Sequence, residues 1–155
     1  NRQPVRLVFD SDLRLPVSAP LFKPGDAGHV TIFCAEDAET EREAALTTAG
    51  ASVVRLPRAD GRLSVDAFLR WAHAAGLQSI YLEGGRTLAG SFLTAGRVDR
   101  VEAWIAPRIL GGGLSHLGPL VLPEPATAMA DAVALQETTV ELFGNDVRLT
   151  GWVRR

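Results

Sequence analysis

Cysteine occurs once in these 155 residues, at Cys34, so no internal disulfide can form and the fold must rest on its core. Histidine is almost as scarce. His29, His73 and His116 are scattered, none at metal-site spacing from another or from the cysteine, so no metal-binding residue is expected. No apolar run is long enough to span a bilayer and no secretory signal is visible, which makes the cytoplasm the expected location. Long blocks of one charge are missing too. Lys and Arg total 16 against 18 Asp and Glu, a formal net charge of −2, so neither nucleic acid nor a membrane surface is an expected partner. A small molecule is.

What the chain does have is apolar content, 46%, enough for one compact domain over residues 1–155 with a core of its own. The runs "VRLVFD" (5–10), "HVTIFC" (29–34) and "SVVRLP" (52–57) read as short buried strands. Between the second and third, Thr40 and Glu43 form a capping-box pattern before a helix that Gly50 should terminate. Ser64 caps a further helix with Val65, Phe68, Leu69 and Ala72 on one face and Gly76 at its end. "QSIYLEGG" (78–85) reads as a strand, "RTLAGSFLTAG" (86–96) as a helix with Leu88, Phe92 and Ala95 aligned, and "RVEAWIAP" (100–107) as a strand. Near the end Val140 and Leu142 alternate with polar residues, "GND" turns the chain, and Val147 and Leu149 alternate again. The predicted class is a three-layer α/β fold with a mixed, mostly parallel sheet flanked by helices and closed by a C-terminal antiparallel hairpin.

In such a sheet, ligands collect at the carboxyl ends of the strands. Glu83, Gly84 and Gly85 stand at one such end, before a helix whose first N–H groups and positive dipole end suit an anion. Two readings stay open for the glycine pair, a phosphate cradle or a plain tight turn. A carboxylate beside a phosphate repels it, so Glu83 is expected to face a different ligand, such as the N–H edge of a heterocycle. The motif is not the GxGxxG dinucleotide fingerprint.

The stretch "YLEGGRTLAGSFLTAGRVDRVEAWIAPRILGGG" (81–113) resembles the reductase, C-terminal domain of the bifunctional riboflavin-biosynthesis deaminase/reductase family. Its pattern there runs E-G-G/A-x-T-L-A-G, a helix ending A-G, V-D-E, and an I-A-P-K-L-L-G-G loop. The match is gap-free, with Arg108 a conservative change and Arg100 a departure, and "QPVRLVFDSDLRLP" (3–16) resembles the family's Pro-x-Arg-x-Val-x-Asp-Ser segment. The resemblance implies a dihydrofolate-reductase-like fold and NADPH-dependent reduction of the ribose of 5-amino-6-(5-phosphoribosylamino)uracil to the ribityl form. Carried over by position, it implies cofactor contacts at Ser11, Gly85, Arg86, Thr87, Leu88, Ala89, Gly90 and Ser91, and a substrate contact at Glu83. It also implies a homodimer. No side chain is marked as a catalytic acid or base.

The family's upstream Lys-x-Ala-x-Ser-x-Asp-Gly strand, its Asp-Asp-Pro segment and the zinc-deaminase motifs have no counterpart here. A fragment, the ordered remainder of a longer protein and a shortened relative all fit that pattern. The rival functions are a same-fold reductase with another heterocyclic substrate and a non-catalytic nucleotide-binding or dimerisation module. Choice between NADPH and NADH turns on charge near the adenosine 2′-position: Glu36 and Asp37 follow the second strand and disfavour phosphate, while Arg55 or Arg58 could offset them. The loop "GGGLSHLG" (111–118) could close over a ligand or merely connect, and Ser115 beside His116 is not a triad. Trp71, Trp104 and Trp152 are expected in the core or an interface.

Overall fold

The structure is a computed structural model, described here for residues 4–22, 29–108 and 132–154. It divides into two compact units, Asn1–Ser79 and Ile80–Arg155.

In the first unit, β1 (Arg6–Phe9), β2 (Val30–Ala35) and β3 (Ala51–Leu56) pair in parallel in the order β1-β2-β3, joined between β2 and β3 by α1 (Thr40–Thr48). All six residues of β2 are buried, as a strand covered on both faces requires. Alternation divides them. Val30, Ile32 and Cys34 join a cluster with Leu13 and with Leu46 of α1, against which Val8 and Val53 also pack. Phe33 points the other way, meeting Phe68 and Trp71 of α2 (Val65–Ala74) edge-on at 5.0 and 4.7 Å, with Phe9 closing the group at 5.4 Å. Edge-on ring pairs at such spacing add about 0.5–1.5 kcal/mol each beyond their buried area.

The helix signals held where a side chain had no better partner. Ser64 Oγ accepts from the Ala67 N–H at 3.2 Å, and Val65, Phe68 and Ala72 are buried as their spacing predicts. Gly50 and Gly76 end their helices at positive φ, 101° and 74°. The capping box at Thr40 does not form: Glu39 is the N-cap, without a side-chain bond, and Glu43 is bound by Arg55 at 2.5 and 2.9 Å instead. A charge-assisted pair to guanidinium outcompetes a reciprocal bond to a backbone amide. After β3 comes a small hairpin, β4 (Arg58–Ala59) and β5 (Arg62–Leu63), turned by Asp60 and Gly61, both at positive φ (51° and 74°).

In the second unit α3 (Arg86–Thr94) precedes β6 (Arg100–Ile105), β7 (Leu135–Phe143) and β8 (Asp146–Val153), an antiparallel sheet in the order β6-β8-β7. The hairpin turns at Gly144 (φ 62°), as predicted. One face carries Val101, Ala103, Ile105, Val147, Leu149, Val140 and Leu142 by register. On the other, Arg148 pairs with Glu141 and lies over the rings of Trp104 and Phe143. Trp71 is the tryptophan in a core; Trp104 and Trp152 are about half exposed, at 51% and 45%.

One predicted strand did not form. Residues 78–85 join no sheet among the described residues, and Tyr81 is 71% exposed. An apolar run marks a segment fit to be a strand, but a strand exists only through a neighbour that takes its backbone hydrogen bonds. The loop 111–118, with Ser115 and His116, lies outside the described residues.

Candidate functional site

At the carboxyl ends of the three parallel strands the chain is tied together by its backbone. Ala35 N–H donates to the Ser11 carbonyl at 3.0 Å and Glu36 N–H to the Leu56 carbonyl at 3.2 Å. The loop after β1 is held tightly. Leu13 N–H closes a turn onto the Asp10 carbonyl at 3.1 Å, and an Asp10 carboxylate oxygen accepts from Leu15 N–H at 2.7 Å. Leu13 itself has φ 52°, a conformation costing a branched residue about 1 kcal/mol or more, and it is retained with the side chain buried in the core. Ser11 is thereby fixed on this edge, half-buried.

Asp12 and Asp37 stand on the same edge, and Arg58 joins them. Its Nη2 donates to Asp12 Oδ1 at 2.9 Å and its Nε to Asp37 Oδ1 at 3.1 Å. These carboxylates raise the Arg58 pKa further above its ordinary value. Arg55 is engaged separately by Glu43 and, through Nη1, by the Glu36 carbonyl at 2.7 Å.

In the second unit, Gly85 is the N-cap of the nine-residue α3 and supplies no side-chain cap. Its backbone is ordinary extended chain (φ −67°, ψ 171°), which any residue adopts, so conformation does not require glycine here. Space distinguishes the two glycines. A Cβ on Gly84 would stand 3.0 Å from Leu88 Cδ2 and 3.1 Å from Leu88 Cβ, whereas one on Gly85 would meet nothing within 4 Å among the described residues. Gly84 therefore lets Leu88 pack back over the entering chain. Gly85 leaves the start of α3 open, beside amides that carry the positive end of the helix dipole. An anionic group can approach that backbone directly, so the residues present fit a phosphate.

The other predicted site residues fall along α3. Arg86 and Thr87 are exposed in its first turn, Leu88 and Ala89 are half-buried, and Gly90 is buried. Ser91 Oγ donates to the Thr87 carbonyl at 3.0 Å, so its proton is used inside the helix. Glu83 is exposed just before the glycines. Ser11 belongs to the first unit and Glu83 with residues 85–91 to the second. At the far end of α3 from Gly85, a cleft of about 380 Å³ is lined by Leu93, Gly96, Val98, Val133, Val153 and Arg154; it is of mixed polarity and distant from the helix start.

Residues 1–149 match the RibD C-terminal domain. The chain belongs to this family. Riboflavin biosynthesis protein RibD of Bacillus amyloliquefaciens is 32% identical over 149 residues, 96% of this chain and 39% of that protein. The 2,5-diamino-6-ribosylamino-4(3H)-pyrimidinone 5′-phosphate reductase of Methanothermobacter thermautotrophicus is 37% identical over 145 residues, 93% of this chain and 63% of the relative. Among solved structures, Acinetobacter baumannii RibD superimposes with a TM-score of 0.74 at 20% identity, covering 99% of this chain and 38% of that one. The RibD C-terminal fold is the dihydrofolate-reductase-like α/β class expected from the sequence, with its parallel strands first and its antiparallel hairpin last. The chain spans from about two-fifths to just under two-thirds of the length of these relatives.

Sequence reasoning weighed Arg58 only as a possible compensating charge and passed over its partner Asp12. The Asp60-Gly61 dipeptide was the available signal: such a pair calls for a two-residue turn with both residues at positive φ, hence a hairpin that brings Arg58 back to the strand ends.

Proposed function

We propose that this chain, as one domain over residues 1–155, is a reductase of riboflavin biosynthesis that takes NADPH and reduces the ribose of 5-amino-6-(5-phosphoribosylamino)uracil to the ribityl form. The observation that carries the proposal is the open start of α3 at Gly85, in a chain matched to the RibD C-terminal domain over residues 1–149. The dinucleotide, when bound, supplies the hydride. The chain's own residues bind and orient. Gly85 and the amides of Arg86, Thr87 and Leu88 would hold the phosphates, with Ala89, Gly90 and Ser91 continuing that segment, and Ser11 would contact the cofactor from the edge of the parallel sheet. Glu83 would accept hydrogen bonds from the substrate heterocycle, since a carboxylate at the phosphates would be repelled.

A second substrate is favoured by one observation. The archaeal relative at 37% identity is named for the 2,5-diamino-pyrimidinone 5′-phosphate, so the substrate before deamination is the alternative. A homodimer and a cytoplasmic location belong to the proposal; exposed Ile105, Val140 and Leu142, on one face of the second-unit sheet, support the former. The test is loss of dinucleotide absorbance at 340 nm with each pyrimidine in turn, monitored alongside product mass. Turnover with one pyrimidine identifies the substrate. Tight dinucleotide binding with turnover of neither would leave a same-fold reductase of another heterocycle or a non-catalytic nucleotide-binding module.

A further inference from the structure

The turn between β4 and β5 carries the one Asp–Gly dipeptide of the sequence, Asp60–Gly61. Both residues are exposed, and both lie at positive φ, 51° and 74°, as a two-residue hairpin turn demands. A Cβ on Gly61 would meet no atom within 4 Å among the described residues, so the space beside its amide is open. Among the same residues the Asp60 carboxylate has no hydrogen bond or ion pair, and the Gly61 N–H has no acceptor. Asp10, followed by Ser11, is the contrast: its carboxylate accepts from Leu15 N–H at 2.7 Å, and Ser11 carries a side chain and is half-buried.

An aspartate in this setting is open to attack by its own chain. The Gly61 nitrogen adds to Asp60 Cγ and a C–N bond forms. The carboxyl, protonated from solvent, loses its hydroxyl together with the amide proton as water, and a five-membered succinimide closes. Water then adds to one of the two ring carbonyls. Breaking the new bond at Cγ restores aspartate. Breaking the original peptide bond instead leaves the chain running through Cγ and the former main-chain carbonyl as a free carboxylate, an isoaspartyl link. One water leaves and one enters, so the mass is unchanged and no co-reactant is needed. A side chain on the following residue crowds the ring, and glycine has none.

We propose that Asp60–Gly61 is a site of spontaneous isoaspartate formation, and that the modification loosens the hairpin's tie across the ends of the parallel strands. The isoaspartyl link adds one methylene to the backbone inside a turn with room for two residues, so the pairing of Arg58 with Leu63 is lost. Arg58 is the residue at stake. Its Nη2 donates to Asp12 Oδ1 at 2.9 Å and its Nε to Asp37 Oδ1 at 3.1 Å, and ion pairs this exposed persist only where the backbone holds both partners in place. Age thus marks the edge where β1, β2 and β3 end, whatever reaction the chain performs.

The test is prolonged incubation of the purified full-length protein in heavy-oxygen water, at neutral pH and physiological temperature, followed by peptide mapping with fragmentation that separates isoaspartyl from aspartyl links. Heavy oxygen should enter at Asp60, and the isoaspartyl fraction there should exceed that at Asp10 by about tenfold or more, a barrier difference of about 1.4 kcal/mol. Asp60→Glu, which would need a six-membered ring, should abolish the product while keeping the charge. Asp60→Asn should raise the isoaspartyl yield, because ammonia leaves more readily than water. In the modified protein the amides of the β4–β5 ladder should exchange with solvent about tenfold faster, with the Ala67 amide of α2 unchanged. An isoaspartyl fraction at Asp60 no higher than at Asp10 overturns the site. Ladder amides that exchange in the modified protein as they do in the fresh one overturn the loosening.

Discussion

Replacing Gly85 by serine should make the protein more stable and a poorer dinucleotide binder at once. The backbone there is already in the conformation of a helix N-cap, and a Cβ would meet no atom within 4 Å among the described residues. A serine hydroxyl at an N-cap accepts from the second or third helical amide, worth a few tenths of a kcal/mol over glycine. Loss of glycine's freedom in the unfolded chain adds about 0.4–1 kcal/mol. Together they give about 1 kcal/mol, a rise in Tm of about 2–4 °C for a domain of this size. The same hydroxyl would occupy the space through which a phosphate approaches and compete for its amides, so dinucleotide affinity should fall at least about tenfold, and Gly85→Asp should lower it further by charge. Gly84→Ala is the control: a Cβ about 3 Å from Leu88 overpacks the turn, at about 1–3 kcal/mol, and should lower Tm instead. Scanning calorimetry and dinucleotide fluorescence titration read both quantities. A Gly85→Ser protein that melts lower than wild type, or that binds dinucleotide unchanged, would falsify the account of this helix start.

Ser64→Ala removes the bond to the Ala67 amide and should cost about 1 kcal/mol, read as a lower urea midpoint with an unchanged m-value. Cys34 is buried on β2, and burial raises its thiol pKa above the ordinary range. The neutral thiol is therefore favoured in the folded state, and its contribution, intact below the unfolded-state pKa of about 8.5, is lost as pH rises through the folded value. The urea midpoint should fall above that pH in wild type and fall less in Cys34→Ala; equal slopes in the two proteins would refute the burial argument.

Most of the first unit was legible because each of its elements states its own cause. Strands of continuous apolar character, a serine before a 3.6-residue pattern and glycines at helix ends all reappear within a residue or two. Two misjudgements share a reason. Glu43 had a choice of partners, and the winner, Arg55, is 12 residues away. The segment 78–85 had the composition of a strand, but pairing is a property of two segments, and no local pattern reports whether the second arrives. The same holds at the site. Two glycines in a row announced something unusual at the start of α3, while their different tasks, one packing and one opening, depend on where Leu88 lies. Arg58 was visible as a charge, but its grip on Asp12 spans 46 residues and exists only once three strands lie side by side.

Because β2 is covered on both sides, its six positions respond to substitution differently from those of the terminal hairpin. In the first strand of the hairpin, every residue after Leu135 is exposed and can turn polar and stay in water. In β2 there is no such refuge: a lysine or glutamate at any of Val30 to Ala35 would have to be desolvated whichever way it pointed. A saturation library scored for folding should thus show an unbroken block of charge intolerance over those six codons, flanked by permissive ones, and broad tolerance over Leu135–Phe143.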